Sequence, residues 1–192
     1  MQKLLITTAQ GCALFAAMAI ASGPAQAAVF DNWYGKVSAG VSANAEVAGL
    51  ELEDGLSAGA AIGTDFGPLR IEAGADHIGH TLNLGGAEAD ASAIYASGTV
   101  YADFKATDNI GLFIGAGGGL ANAEASLFGT NVTGDGLAWH VKAGAAARMN
   151  DRMIFEVAVT HIEADLDFDV GGGQVNADYT SNFVGAGIRF AF

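Results

Sequence analysis

The sequence predicts an all-β fold, an eight-stranded antiparallel up-and-down transmembrane β-barrel. Three observations predict it. Eight stretches of roughly ten residues set apolar side chains against polar ones or glycine, the period of a β-strand and the length at which a tilted strand crosses a bilayer. The connections between them run long, short, long, short, long, short, long, as outer loops and inner turns of a barrel do. The last stretch, Phe183 to Phe192, puts Val184, Ala186, Ile188, Phe190 and Phe192 on one face and Gly185, Gly187 and Arg189 on the other. Left free, such a strand is an aggregation hazard; closed into a barrel in lipid it has no edge.

Residues 1–27 read as a cleaved secretory signal and residues 28–192 as the barrel domain. Lys3 is the only charge before an apolar run from Leu4 to about Ser22, and Gly23-Pro24 precedes the small-x-small site Ala25-Gln26-Ala27. Thr7, Thr8, Gln10 and the Gly-Pro break argue against an uncleaved membrane helix. Cys12 lies inside the apolar run, not after it, which argues against a lipid anchor. It is the only cysteine, so residues 28–192 have no thiol chemistry and no disulfide. Removing 1–27 takes one of the 8 Lys and Arg and none of the 21 Asp and Glu, leaving a net charge of −14. Nucleic acid is not a partner, because phosphate binding needs clustered cations.

The strands follow in order. Tyr34–Ala43 alternates Lys36, Ser38, Gly40 and Ser42 with Val37, Ala39, Val41 and Ala43, and an acidic loop, about 44–56, follows. Ser57–Phe66 and Leu69–Ile78 flank a tight Gly67-Pro68 turn. A second long loop covers about 79–91. Ser92–Phe104 and Ile110–Leu120 flank the polar turn Lys105–Asn109, and a third long loop covers about 121–136. Leu137–Met149 and Met153–Ile162 flank the turn Asn150-Asp151-Arg152. A fourth long loop, about 163–178, precedes the terminal strand.

Charge placement tests this reading. Lys105 and Arg152 fall in turns. Lys36, Arg70, Lys142, Arg148 and Arg189 all fall in the polar register, as do Asp65, Glu72, Asp76, Asp103 and Glu156. A barrel of eight strands is just wide enough for side chains to fill it. The expectation is a lumen charge network built from Lys36, Arg70, Glu72, Asp76, Asp103, Lys142, Arg148, Glu156 and Arg189. The soluble alternative, a β-sandwich with these charges in water, explains neither the aromatic terminus nor the loop asymmetry.

Several stretches carry a family likeness. Ile110-Gly-Leu-Phe-Ile-Gly-Ala-Gly-Gly-Gly119 is similar to the aromatic-x-Gly-x-Gly-x-Gly strand of eight-stranded outer-membrane barrels. Leu69-Arg-Ile-Glu72 is similar to another recurrent stretch of that group. Gly187, Phe190 and Phe192 fit the ending that resembles the sorting signal read by the barrel-assembly machinery. The whole of 28–192 resembles the family of OmpA-type transmembrane domains and small opacity-type surface antigens. The resemblance implies an outer-membrane location in a Gram-negative cell. It also implies a monomer, lipid and lipopolysaccharide contacts, and a structural or surface-presenting role. The chain departs from larger OmpA-type proteins in ending at the barrel, with no periplasmic peptidoglycan-binding domain after it, so the resemblance does not extend to cell-wall tethering.

Chemistry is sparse. His77 and His80 are expected at the rim of the third strand, His140 in the lumen and His161 near the outer end of the seventh. Some barrels of this size are lipid A deacylases, but His161-Ile-Glu163 lacks the serine that pattern requires, and no enzyme is expected. Asp165-Leu-Asp-Phe-Asp169 suggests a cation loop, yet Val170 and Asn176 occupy the positions where a calcium loop needs Gly and Glu. No cofactor and no specific metal site is expected. Glu46, Glu51, Glu53 and Asp54 of the first loop are expected beside Glu163, Asp165, Asp167 and Asp169 of the fourth, in a patch that shares divalent cations with lipopolysaccharide. A narrow low-conductance channel is the second functional reading, and a lipid-modifying enzyme the third.

Overall fold

The computed structural model of the chain describes residues 32–47, 50–52, 55–83, 88–127, 130–170 and 173–192. The stretch read as a signal lies outside them, as do Glu53, Asp54, Gly171 and Gly172. The described regular structure is nine strands: β1 (Trp33–Val47), β2 (Leu50–Leu52), β3 (Leu56–Asp65), β4 (Leu69–Asn83), β5 (Glu88–Lys105), β6 (Ile110–Leu127), β7 (Thr130–Arg148), β8 (Met153–Val170) and β9 (Gly173–Ala191). Eight of them form a closed antiparallel ring in chain order, β1-β3-β4-β5-β6-β7-β8-β9, with β9 paired back on β1 from Tyr34↔Ala191 to Val47↔Tyr179. β2 is a three-residue hairpin arm on the outer end of β1. Closure satisfies the backbone of every ring strand, which is the condition for spanning lipid.

The turns on one end are tight and locally fixed. At Phe66–Leu69, Gly67 has φ +84°, a conformation that favours glycine, and its N–H donates to Asp65 Oδ1 at 2.8 Å. Thr107 Oγ1 accepts the Ile110 N–H at 3.0 Å, and Asn150 Oδ1 accepts the N–H of both Arg152 and Met153 at 2.9 Å.

Strand length departs from the sequence-based expectation. The stretches 79–91, 121–136 and 163–178 are ladder for most of their length, not loop. Pairing runs out to Asn83↔Glu88, Leu127↔Thr130 and Val170↔Gly173. The reason is a change of chemistry without a change of period. On β8 the outward positions go from Phe155, Val157 and Val159 to His161, Glu163, Asp165 and Asp167. The inward ones go from Glu156, Ala158 and Thr160 to Ile162, Ala164 and Leu166. On β9 the outward series changes from Phe190, Ile188, Ala186 and Val184 to Asn182, Thr180 and Asp178. On β6 it changes from Leu112, Ile114 and Leu120 to Asn122 and Glu124.

The barrel therefore has two storeys. In the lower one, Ile114 and Val159 stand 55 % and 54 % exposed on the outside while Arg70 is 0 % exposed within. That is an inside-out protein, suited to lipid. In the upper one the interior is an apolar cluster of Ile78, Tyr95, Ala121, Ala138, Ile162, Ala164, Leu166 and Phe183, and the exterior is acidic. That is the ordinary polarity of a wall standing in water. Exposed Phe66, Phe104, Phe155, Phe190 and Phe192 ring the turn end, where an aromatic girdle meets the membrane surface. A register irregularity between Ala43 and Glu46 lets Ser42 and then Ala45 both bury inward.

Candidate functional site

The polar chemistry of the lower storey converges on Arg70. Alternation along β4 aims Arg70, Glu72 and Asp76 at the lumen. The same rule brings Tyr34 and Lys36 from β1, Tyr101 and Asp103 from β5, Glu156 from β8 and Arg189 from β9. Arg70 grips Asp103 through Nε and Nη2 at 3.0 and 3.2 Å, a bidentate pair. Its Nη1 lies 3.6 Å from Glu72 Oε2 and 3.4 Å from Glu156 Oε1. Arg189 Nε lies 2.8 Å from Glu156 Oε1, an ion pair whose geometry falls short of a hydrogen bond.

Glu72 is the common acceptor. Lys36 Nζ donates to it, and so do the hydroxyls of Tyr34 and Tyr101, each at 3.1 Å. The Arg70 guanidinium lies 4.0 Å above the Tyr101 ring and 5.3 Å from that of Phe113; Arg189 lies 5.2 Å from the Tyr34 ring. Gly63, Gly115 and Gly144 lie against Tyr34, Tyr101 and Phe113, where a Cβ would overlap ring atoms. Three cations and three carboxylates thus cross the lumen in one charge-balanced layer.

The structure does not bring all nine expected charges together. Asp76 and Lys142 stand one level above the layer. With Lys36, Ser57, His140 and Thr160 they line a cavity of about 90 Å³. Among the described residues neither forms an ion pair within 4.0 Å. Arg148 lies one level below, exposed on the wall of a turn-side vestibule of about 430 Å³ that Asp65, Asp103, Lys105 and Arg189 also line. Gly187 pairs with Ser38 and Glu156 near the base of β9, and Phe190 and Phe192 are exposed on the outer face at the turn end. Sequence reasoning passed over Tyr34, Tyr101 and Phe113 as network members. Their signal was an aromatic residue in the polar register, two residues from a charge at Tyr34 and Tyr101 and between two glycines at Phe113.

The histidines are placed as follows. His140 is 0 % exposed, with Nδ1 2.7 Å from Tyr95 OH and Nε2 2.9 Å from Thr99 Oγ1. His80 is not at a rim. It is buried in the upper storey, because β4 continues past Ile78. Its Nδ1 faces Ser42 Oγ at 3.4 Å and its Nε2 faces Tyr179 OH at 3.1 Å. Ser42 accepts the Gly55 N–H at 2.8 Å and is 1 % exposed, so its hydroxyl is not presented to a substrate. His77 is exposed on the outside. His161 also faces out, above Val159 and therefore beyond the membrane-spanning part of β8. Its ring nitrogens lie 3.0 Å from Asn182 Oδ1 and 3.0 Å from Glu163 Oε1. These two acceptors, Asn182 first, raise its pKa above the ordinary value.

The upper outer wall is acidic. Asp165 pairs across the ladder with Asp178, and Asp167 with Asp135, so like charges face each other directly. Glu46 and Glu163 flank Thr180 in one cross-strand row. Asp165 and Asp167 belong to a regular strand with Leu166 and Phe168 turned inward, which corrects their expected place in a loop. Among the described residues no three His, Cys, Asp or Glu side chains are grouped to hold a metal ion.

Comparison with known proteins places this geometry. The family described as outer membrane protein beta-barrel domain matches residues 13–192. Among solved structures, Neisserial surface protein A is similar with a TM-score of 0.64 at 16 % identity, covering 83 % of this chain and 96 % of that one. OprG from Pseudomonas aeruginosa gives 0.58 at 13 % identity, covering 84 % and 97 %. The attachment invasion locus protein Ail of Yersinia pestis, in complex with the heparin analogue sucrose octasulfate, gives 0.52 at 15 % identity, covering 83 % and 99 %. A comparison with curated protein sequences finds no match.

Proposed function

The chain belongs to the outer membrane protein beta-barrel domain family, and from that premise we propose that its role in the Gram-negative outer membrane is structural. It supports the bilayer and presents a rigid acidic wall outside it, with the lumen plugged by charged side chains. The observation that carries this reading is the charge-balanced layer of Lys36, Glu72, Arg70, Asp103, Glu156 and Arg189 packed on Tyr34, Tyr101 and Phe113. An ion passing through would have to displace buried ion pairs, which leaves charges uncompensated. The chain acts without catalysis, as the burial of Ser42 and His140 supports.

The second reading, a narrow low-conductance channel, draws on the cavity above the layer and the vestibule below it. Single-channel recording of the refolded protein in a planar bilayer decides between them. The structural reading expects a silent bilayer with protein verifiably inserted. Reproducible openings, altered by Arg70→Ala or Glu72→Ala, would make the protein a channel.

Three further assignments belong to the same reading. Residues 1–27 are a signal removed on export, so the intact mass of protein from the outer membrane is that of 28–192. Gly187, Phe190 and Phe192 address the barrel-assembly machinery, and deleting Phe192 lowers assembly. The barrel is a monomer whose upper wall shares divalent cations with lipopolysaccharide. The stretches 44–56, 79–91, 121–136 and 163–178 hold 13 acidic residues and no Lys or Arg, and like charges face each other across two ladders. A polyanion of the kind bound to Ail does not suit that surface. Magnesium at millimolar concentration raises the unfolding temperature in lipopolysaccharide membranes; no shift would remove the cation-sharing assignment.

A further inference from the structure

The lumen is interrupted at two heights by opposite chemistry. The lower interruption is the ion-pair layer around Arg70 and Glu72. The upper one is apolar. The cavity of about 90 Å³ is roofed by Ile78, Tyr95, Ile162 and Phe183, all members of the apolar cluster that fills the upper storey. Above the roof Ala164 and Leu166 remain buried, and His80, bridging Ser42 and Tyr179, packs its ring 6.5 Å from that of Phe183.

The cavity itself is polar. Lys142 and Asp76 line it with no ion pair within 4.0 Å among the described residues, alongside Ser38, Ser57 and Thr160. Charged groups without direct partners need solvent, and a space of this size with several donors and acceptors holds a few waters.

We infer that this cavity is a hydrated chamber that exchanges water and small ions with the turn side of the barrel and is closed to the outer side by a dry apolar seal; the inference rests on the plugged-lumen reading. The two barriers respond differently to water. Separating a buried ion pair leaves its charges uncompensated in a dry site, so the layer blocks steady conduction; between a vestibule and a chamber that both hold water each charge regains part of its solvation, and the layer opens rarely and recloses. A packed apolar plug gains nothing from water, and a constriction of that kind excludes ions by dewetting. Fluctuations therefore open the chamber downward, towards the vestibule, and not upward.

The test uses the near-absence of cysteine. In the full chain carrying Cys12→Ser, Thr160→Cys places a single thiol in the chamber wall with little change of volume. Folding is verified by heat-modifiable migration. A small permanently charged thiol reagent, methanethiosulfonate ethyltrimethylammonium, which does not cross lipid, is added either outside intact cells lacking general porins or to outer-membrane fragments open on both faces. Modification in open fragments at least tenfold faster than in intact cells is the expected result, and Phe183→Ala is expected to raise the rate in intact cells. Equal rates in the two preparations overturn the seal. No reaction in either preparation overturns the downward opening. Should Phe183→Ala fail to assemble, Leu166→Ala takes its place, and the comparison of the two faces stands without either. Bilayer openings of the parent protein would sink the plugged-lumen reading; a silent barrel labelled from outside would sink this inference alone.

Discussion

Glu72 takes a hydrogen bond from a lysine and two tyrosines, and its neighbour Arg70 is fully buried against three carboxylates. Removing one charge from such a set leaves its partners uncompensated. Glu72→Gln should cost about 3 kcal/mol of unfolding free energy, measured by urea titration in detergent or bilayers. Tyr101→Phe, which removes only a hydroxyl donated to a charged group, should cost about 1.5–2 kcal/mol. Gly115→Ala places a methyl on the Tyr101 ring and should cost roughly 1–3 kcal/mol by overpacking. His161 offers a pH-dependent contact on the outer wall. Its folded pKa is raised, so the contact stabilises fully below its unfolded value and is lost as pH rises through the folded one. Glu163→Gln should lower that pKa, read from the imidazole proton shifts by NMR.

At the scale of the strand, one alternation crosses two solvents. The outward face of β8 is apolar at Phe155, Val157 and Val159 and acidic from Glu163 upward. The same substitution should therefore have opposite weights at two heights. Val157→Lys faces lipid and should cost roughly 2–4 kcal/mol, whereas Asp167→Lys faces water and relieves repulsion with Asp135. Paired unfolding measurements of the two variants check this; equal costs would mean that the bilayer reaches higher than the chemistry of the wall indicates. Asp165→Asn, removing one of two carboxylates that face each other, should stabilise by about 0.2–1 kcal/mol, an effect that shrinks with added magnesium.

The whole molecule is polarised. Its Lys and Arg after residue 27 all lie in the lower storey or its turns, while its upper storey is acidic outside and apolar inside. The lower storey and its turns balance seven Lys and Arg with seven Asp and Glu among the described residues, so the excess negative charge sits in the upper storey. The upper storey has its own apolar core, and its wall is ladder more than loop among the described residues. Neutralising the upper wall at Asp135, Asp165, Asp167 and Asp178 together should remove the gain in unfolding temperature given by magnesium while leaving bilayer recordings unchanged.

The sequence alone determined the ring of eight strands, the tight turns and which face of each lower strand is apolar. Period and turn chemistry are local, and in lipid the outward face admits only one polarity. It also determined that five basic and five acidic residues share the polar register. Tertiary structure decided which of these meet, because partners such as Arg70 and Glu156 are brought together only when the ring closes and the stagger of each strand sets its height. Asp76, Lys142 and Arg148 are in the right register at the wrong height. The upper storey was illegible for the same reason: an acid on a strand above the bilayer and an acid in a loop look alike until the neighbouring strand shows where the membrane ends.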